Sequence, residues 1–525
     1  MGKNEYISYL NNEYPSVRIM NVCGKLFVYD AKTCSLTLLS EREDEKKNII
    51  IGRIKQNFKP SVFQQIVPNE NEIENLVLNK FEEYIPRKFT IEVTEKCTLR
   101  CKYCLFSNQL SERHHSEIEM DDLTMKKAVD YYYLIYTNAF KRVANGYRGE
   151  VLSIAPPGIS WWGGEPFTNF ELIKKSKAYI ESLPWHEYGI EKDNFVYSVV
   201  SNFTIVNDEI LDFLISGKIY LFISLDGGEK EHDKNRVFAN NKGSFSRVSH
   251  NIDILIKKAP EYCRKYVVIQ AVLANNIRGN QGVNSIIKTY GIYTLDSKVL
   301  NFQLYPQKVK NQYLPGKRKR INEKKELADF DLLLNQLNSM PVQNLVQFFK
   351  IQKGILNEIE NLFALDSKIA YENSQSCCIY KKWLTCPAGV DNIFVSVSGD
   401  IHICNKSDYS FKLGDVSTGI SLNRIKRFYS QYYHVIRNGK CHSCWAVHFC
   451  GICPAALLND GKFHLPNKDE CEVVRKNICL QLKKYIMLLN KDELYEKLES
   501  AMLNLPKRTF LNYREPLNIR LYEKD

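Results

Sequence analysis

Phe89-Thr-Ile-Glu-Val93 is a short apolar run of strand length, and it leads directly into Glu95-Lys-Cys97-Thr-Leu-Arg-Cys101-Lys-Tyr-Cys104. Three cysteines in a C-x3-C-x2-C spacing on one loop after a strand set three thiolates side by side. That number suits three irons of a cubane cluster and leaves the fourth iron open for an exchangeable ligand. The alternative is a zinc site, which needs a fourth protein ligand nearby. His114 and His115 follow closely enough to offer one.

Working outward, the same strand opens a longer pattern. Predicted strands at Phe89–Val93, Ile159–Trp162, Phe195–Val200, Ile219–Leu225, Val267–Leu273 and Val299–Leu304 alternate with helical segments, notably Thr124–Phe140, Leu172–Leu183 and Arg247–Ile256. Alternation of this kind marks an α/β fold with a parallel sheet. Six βα units fall short of a closed eight-stranded barrel, so a partial, open (β/α)6 TIM-type barrel is the economical prediction. In such folds function collects just past the carboxyl ends of the strands.

The chain of 525 residues is long enough for two to four domains. The boundaries read as 1–86, 87–309, 310–375 and 376–525. The first segment predicts strands at Val17–Met20, Lys25–Tyr29 and Ser35–Leu39, with Cys23-Gly24 as a turn, then helices over Ile49–Phe58 and Glu70–Tyr84. Such a small α+β, winged-helix-like module is suited to binding. Residues 310–375 read as a helical connector, with apolar spacing in Lys324–Met340 and Leu345–Leu365. A final helix is predicted over Glu472–Leu489.

Hydrophobic residues make up 44% and charged residues 25%, which excludes a largely disordered chain. No run approaches the ~18 apolar residues of a membrane helix, and Met1-Gly-Lys-Asn-Glu lacks an apolar signal region, so a cytoplasmic protein without a membrane partner is expected. The formal charge of +12 is scattered. Its one dense run, Lys308 to Lys325, contains Pro315 and Gly316 and little aromatic character, so a nucleic-acid partner is not expected. A cytosolic chain does not use 16 cysteines as a disulfide framework, so their clustering points to metal or redox chemistry. Three fall between 97 and 104 and ten after 376, while Cys23, Cys34 and Cys263 stand alone as small hydrophobes.

Further motifs follow the cysteine loop in order. Gly163-Gly164-Glu165-Pro166 ends the second predicted strand, Ser201-Asn202 the third, and Ser224-Leu-Asp226-Gly227 the fourth, and Arg236 stands twelve residues beyond Ser224. Together with Cys97, Cys101 and Cys104 this series resembles the radical S-adenosylmethionine (SAM) enzymes. The resemblance implies that the three cysteines hold a [4Fe–4S] cluster that binds SAM, with Tyr103 shielding it. It further implies that Gly163, Gly164, Glu165 and Pro166 meet the methionine amino group and that Ser201 and Asn202 lie near the ligand. Ser224 and Asp226 would then face the ribose, and Arg236 the carboxylate.

The C-terminal cysteines extend the resemblance. Cys386, Gly399, Cys404, Cys441, Cys444, Cys450, Cys453 and Cys471 follow the order of the SPASM auxiliary-cluster domain. It implies two more [4Fe–4S] clusters, three in all. Cys441, Cys444, Cys450 and Cys471 would hold one, and Cys386, Cys404 and Cys453 the other. Cys377 or Cys378 is the candidate fourth ligand, and an open iron is the alternative. Two residues separate Cys450 from Cys453 where the family has three. SPASM enzymes that resemble this chain mature peptides. The implied function is therefore peptide maturation of the sactipeptide or ranthipeptide type. A ribosomal precursor would be recognised through its leader, which adds as a strand to the N-terminal sheet. A thioether from Cys sulfur to carbon would be formed, with a flavodoxin or ferredoxin as electron donor. Alternatives are formylglycine formation of the anaerobic sulfatase-maturase type, carbon–carbon crosslinking or epimerisation, and, in another class, a non-catalytic iron–sulfur or zinc scaffold.

Overall fold

The computed structural model describes residues 17–31, 35–40, 88–104, 106–110, 113–146, 151–154, 156–273, 301–306, 322–351, 353–365, 392–407, 409–438, 444–450, 454–466, 468–505 and 517–520, with single positions 71, 75, 389 and 441. The expected N-terminal helices lie outside these residues, as do Cys377, Cys378, Cys386 and Cys453.

Strands β1 (Val17–Val22), β2 (Lys25–Asp30) and β3 (Ser35–Ser40) form an antiparallel sheet in that order. Cys23 and Gly24 link the first two with φ of 51° and 80°, the left-handed pair that a tight two-residue hairpin needs. The sheet does not stand apart. Tyr29 packs on Phe449 at 5.0 Å, the Arg18 guanidinium lies 5.3 Å from the Trp445 ring, and the buried His448 ring bonds the Ala31 carbonyl at 2.7 Å.

Next come β4 (Lys88–Thr94), the hairpin β5 (Ser107–Leu110) and β6 (Arg113–His114), α1 (Asp122–Gly146), β7 (Val151–Ile154), β8 (Gly158–Gly163), α2 (Phe170–Ser182), β9 (Val196–Ser201), α3 (Asp208–Ser216), β10 (Tyr220–Ser224), α4 (Phe245–Lys258), α5 (Pro260–Tyr266), β11 (Val267–Leu273) and β12 (Asn301–Pro306). Strands β4, β8, β9, β10, β11 and β12 pair in parallel in chain order. Because connections between parallel strands are right-handed, an unreversed order puts the helices on one face. One row shows the consequence: Ile91, Trp161, Val199, Leu221 and Val267 are in register and at most 1% exposed. The opposite face of β4 carries Thr90, Glu92 and Thr94, all buried and polar.

The remainder is α6 (Glu323–Ser339), α7 (Val342–Ile351), α8 (Lys353–Phe363), β13 (Asn392–Val395), β14 (Asp400–His402), β15 (Gly414–Asp415), β16 (Gly419–Ile420), α9 (Leu422–Asn438), β17 (Leu458–Asn459), β18 (Lys462–Phe463), α10 (Lys468–Leu489), α11 (Asp492–Leu503) and β19 (Leu517–Arg520). The segment Leu345–Leu365, expected to be helical, is so in α7 and α8 as far as Phe363. Strand β13 joins the large sheet in parallel beside β4, and β14 to β16 continue it antiparallel. The cysteine-rich part is therefore built onto the first strand of the parallel array. In α10, Lys484 is 1% exposed and pairs with Glu358 at 2.5 Å, tying the helical connector to the C-terminal helix.

Candidate functional site

Thr94 ends β4, and the cysteine loop is anchored from two sides. Gly164 N donates to the Thr94 carbonyl at 2.9 Å and Glu165 N to that of Lys96 at 2.7 Å. From across the site, Arg100 N donates to Val237 O at 2.7 Å and Lys102 N to Asn235 O at 3.0 Å. A Cβ on Gly163 would stand 2.2 Å from the Thr94 carbonyl oxygen, and one on Gly164 2.2 Å from that of Lys96. The glycines are thus required by the backbone of the cysteine loop itself.

Cys101 is buried, with Cys97 and Cys104 half-buried, and none is in a disulfide. Burial pushes the Cys101 thiol up to about 12, and it raises Cys97 and Cys104 as well. Proximity to Cys101 and Cys104 raises Cys97 further. Thiols this reluctant to ionise alone become thiolates when a metal takes the proton's place. Three grouped thiols suit a cluster that takes one thiolate per iron and leaves one iron open. Among the described residues, no group of three or more His, Cys, Asp or Glu is disposed to hold a single metal ion. His115, weighed as a zinc ligand, stacks on Phe106 with ring centroids 5.6 Å apart.

Glu165 is wholly buried and held by three donors. Ser201 Oγ donates at 2.7 Å, Asn202 N at 2.7 Å and Phe167 N at 3.2 Å. Burial outweighs them and pushes the carboxyl up to about 7. A carboxylate has about four acceptor sites, so one is left for an amino group. Pro166 starts the short helical turn that presents Phe167 N. Asn202 is a hub: its Nδ2 donates to Thr98 Oγ1 at 3.1 Å and lies 3.6 Å from Cys97 Sγ, while its Oδ1 accepts from Thr204 N at 3.0 Å. Thr98 and Thr204, whose hydroxyls meet at 2.7 Å, were not singled out from sequence. Thr98 lies inside the cysteine motif and Thr204 two residues beyond Ser201-Asn202, which is the signal that marks them.

Asp226 and Arg236, expected to face a ligand's ribose and carboxylate, are engaged with each other. Arg236 Nε approaches Asp226 Oδ2 at 3.0 Å as an ion pair rather than an aligned hydrogen bond. The Tyr103 hydroxyl donates to the same oxygen, and Val272 N donates to Asp226 Oδ1 at 2.9 Å. The Arg236 guanidinium lies 5.3 Å from the Tyr103 ring centre and draws down the Cys101 thiol against burial. These residues bind the cysteine loop to the ends of β10 and β11. Ser224 sits in register with Gln270 at the end of β10. Behind them, the buried His232 accepts from Asp226 N through Nδ1 at 3.3 Å, and its Nε2 meets Ser244 Oγ at 2.9 Å. Burial lowers that imidazole to about 3, so it is neutral.

A second group of thiols lies in the C-terminal part. Burial raises Cys441 to about 12, and the neighbouring Cys471, Cys444 and Cys450 each raise it further. Cys444 N donates to Cys441 O at 3.1 Å. Cys404 follows β14, its Sγ accepting from Lys406 N at 3.4 Å. Gly399, with φ of 84°, turns β13 into β14.

Comparison with known proteins falls on the same span. The model of the Radical SAM superfamily matches residues 91–272. A cysteine-type anaerobic sulfatase-maturating enzyme of Clostridium novyi is 28% identical over 170 residues, 32% of this chain and 40% of that protein. The radical SAM cyclopropyl synthase TigE of Paramaledivibacter caminithermalis is 20% identical over 422 residues, covering 78% of this chain and 77% of that one. Among solved structures, Streptococcus suis SuiB bound to the precursor peptide SuiA has a TM-score of 0.41 at 13% identity, over 86% of this chain and 98% of that one. The cysteine loop and the Glu165 cradle both lie within the matched region. The match supports a radical SAM domain over residues 91–272, and the chain spans less than half the length of the Clostridium novyi relative.

Proposed function

We propose that the chain is a radical SAM/SPASM maturase of a ribosomally made precursor peptide, and that it forms thioether crosslinks from Cys sulfur to carbon. The observation that carries the reading beyond the domain is the second thiol group, Cys441, Cys444, Cys450 and Cys471, on a part built directly onto β4. Auxiliary clusters beside a radical SAM site suit a reaction that must hold a thiol substrate and accept an electron from the product. The names of the relatives, a sulfatase-maturating enzyme and a cyclopropyl synthase, support protein or peptide modification as the class.

In this reading Cys97, Cys101 and Cys104 hold the SAM-binding cluster, and the open barrel orients the substrate C–H bond. Cys441, Cys444, Cys450 and Cys471 hold one auxiliary cluster, and Cys404 with Cys386 and Cys453 the other, completed by Cys377, Cys378 or an open site. Bound there, cluster and SAM supply one-electron chemistry that takes a hydrogen atom from an unactivated carbon. Glu165 accepts from the amino group of SAM, and Asn202 keeps Glu165 and Cys97 in fixed relation. Arg236 is placed to exchange its ion pair with Asp226 for the carboxylate of SAM. The three-stranded N-terminal sheet takes the leader at an edge, and a flavodoxin or ferredoxin supplies the electron.

The test is mass spectrometry of a candidate precursor incubated with reconstituted enzyme, SAM and reductant. Loss of two hydrogens per bond, with one Cys thiol blocked to alkylation, supports a thioether. Replacement of a Cys thiol by an aldehyde indicates the formylglycine alternative, which the Clostridium novyi relative favours. Reconstituted protein should hold on the order of 12 irons per chain. Stoichiometric zinc in their place would falsify the reading.

A further inference from the structure

The polar face of β4 carries a buried ion pair that the SAM cradle does not use. Glu92 is fully buried and accepts from the Tyr409 hydroxyl at 2.9 Å and from Val397 N at 3.3 Å. Arg113 Nη2 lies 3.8 Å from its carboxylate. Arg113 is itself 1% exposed and lies among three rings, with its guanidinium 4.7 Å from the centre of Phe106, 5.1 Å from Trp162 and 4.3 Å from Tyr409. Its Nη1 donates to the Asn405 carbonyl at 2.8 Å, whereas Nε and Nη2 have no hydrogen-bond acceptor.

The position gives this arrangement its meaning. Phe106 stands two residues after Cys104, and Asn405 follows Cys404 directly. A single guanidinium therefore spans from the hairpin beyond the SAM-side cysteines to the loop of an auxiliary cysteine. As a mere tie it is an expensive choice. Burying the charge costs several kcal/mol, and an apolar side chain in the same space is often neutral or stabilising. The three N–H bonds of Nε and Nη2, left without an acceptor, add to the cost. A buried cation also acts at a distance in a low dielectric.

We propose that Arg113 is a positioning residue that brackets the two cysteine sites, and that with Glu92 as counter-charge it sets the electrostatic field at the Cys104 corner of the SAM-side cluster. This rests on the reading of Cys97, Cys101 and Cys104 as cluster ligands. Net charge near a cluster is one of the levers on its potential. A cation stabilises the added electron, so its loss disfavours reduction. Loss of the counter-charge leaves the guanidinium uncompensated and favours reduction. The two changes act in opposite directions, whereas damage to a structural tie would act in one.

The experiment is a redox titration of reconstituted holoenzyme without SAM, followed by electron paramagnetic resonance at a pH above about 8, where Glu92 carries its charge. Iron content and thermal midpoint are measured on each variant. Arg113→Met should lower the reduced-to-oxidised ratio of the SAM-side cluster about tenfold at fixed potential, equivalent to 59 mV for one electron. Glu92→Gln should raise that ratio, and Arg113→Lys should stay near the wild type. Shifts of the same sign in Arg113→Met and Glu92→Gln, or no shift with iron retained, overturn the proposal. Should Arg113→Met lose its iron, Glu92→Gln decides alone, and a ratio that falls or stays put rejects it. A wild-type protein whose iron is indifferent to Cys97→Ala overturns the ligand assignment itself, a separate outcome.

Discussion

Glu165 is cut off from water, so its charge depends on a burial penalty and three donors of opposite effect. The penalty wins, and the carboxyl sits at about 7 against about 4.3 in an unfolded chain. Glu92 is raised to about 7 for the same first reason, burial, with Arg113 and Tyr409 opposing it. A folded pKa above the unfolded value means the native state holds its proton more tightly. The stability this gives is complete below about pH 4 and is lost as pH rises through about 7. SAM-free protein should therefore unfold at lower denaturant concentration at pH 8 than at pH 5. Each of the two groups contributes on the order of 3 kcal/mol to the difference. Glu165→Gln should flatten part of that slope, and chemical denaturation at the two pH values is the check. A slope unchanged by both Glu165→Gln and Glu92→Gln would show that neither group carries the proton. The same Glu165→Gln variant should weaken SAM binding by ~1.5–3 kcal/mol, the scale of a charge-assisted hydrogen bond, with iron content unchanged. Titration calorimetry giving wild-type affinity would remove Glu165 from the ligand site.

At the scale of elements, the junction of β8 with the cysteine loop is fixed by two glycines. Gly164→Ala would set a Cβ 2.6 Å from the Glu95 carbonyl oxygen and 2.2 Å from that of Lys96, so the loop must move. We expect a cost of about 2 kcal/mol or more and loss of the SAM-side iron to a chelator. Gly146→Ala, at the end of α1 with nothing within 4 Å of the new Cβ, is the matched control. Equal chelator resistance in the two variants would refute the packing argument. The six parallel strands were legible because each is a short apolar run bounded by polar turns. The cysteine loop was legible because its spacing is unusual outside metal sites. What escaped has a common cause, contact between residues far apart in sequence. β13 is only four residues long, yet it pairs with β4 across the helical connector. β7 and β19 are four residues each and pair with each other from distant parts of the sequence. Arg113 reads as one basic residue in a polar stretch, and only the rings of Phe106, Trp162 and Tyr409 show it to be buried. Asp226 and Arg236 were expected separately, one at the ribose and one at the carboxylate, and no spacing rule reveals that they face each other.

At the scale of the whole molecule, the N-terminal sheet is a floor for the second thiol group. Tyr29 covers Phe449, Ala31 takes the His448 ring, and Arg18 reaches Trp445 and, at 3.7 Å, Cys479. All but Cys479 of the partners it covers lie between Cys444 and Cys450. Deleting residues 1–86 would uncover those aromatic surfaces, so truncation confounds leader binding with the integrity of an auxiliary site. We expect the truncated protein to lose about a third of its iron, one cluster of three, besides its peptide modification. A single change on the sheet edge separates the two effects. Among the described residues β3 is an edge strand, and Leu38 on it is 40% exposed. Leu38→Lys places a charge where a peptide strand would add, the device by which natural edges resist pairing, and disturbs no buried side chain. Iron content and SAM cleavage without peptide should be unchanged. The peptide concentration for half-maximal modification should rise about tenfold, with the maximal rate preserved, as when binding alone is lost. Peptide kinetics identical to wild type in Leu38→Lys would place leader recognition elsewhere. An iron loss in Leu38→Lys would instead make this edge part of the core.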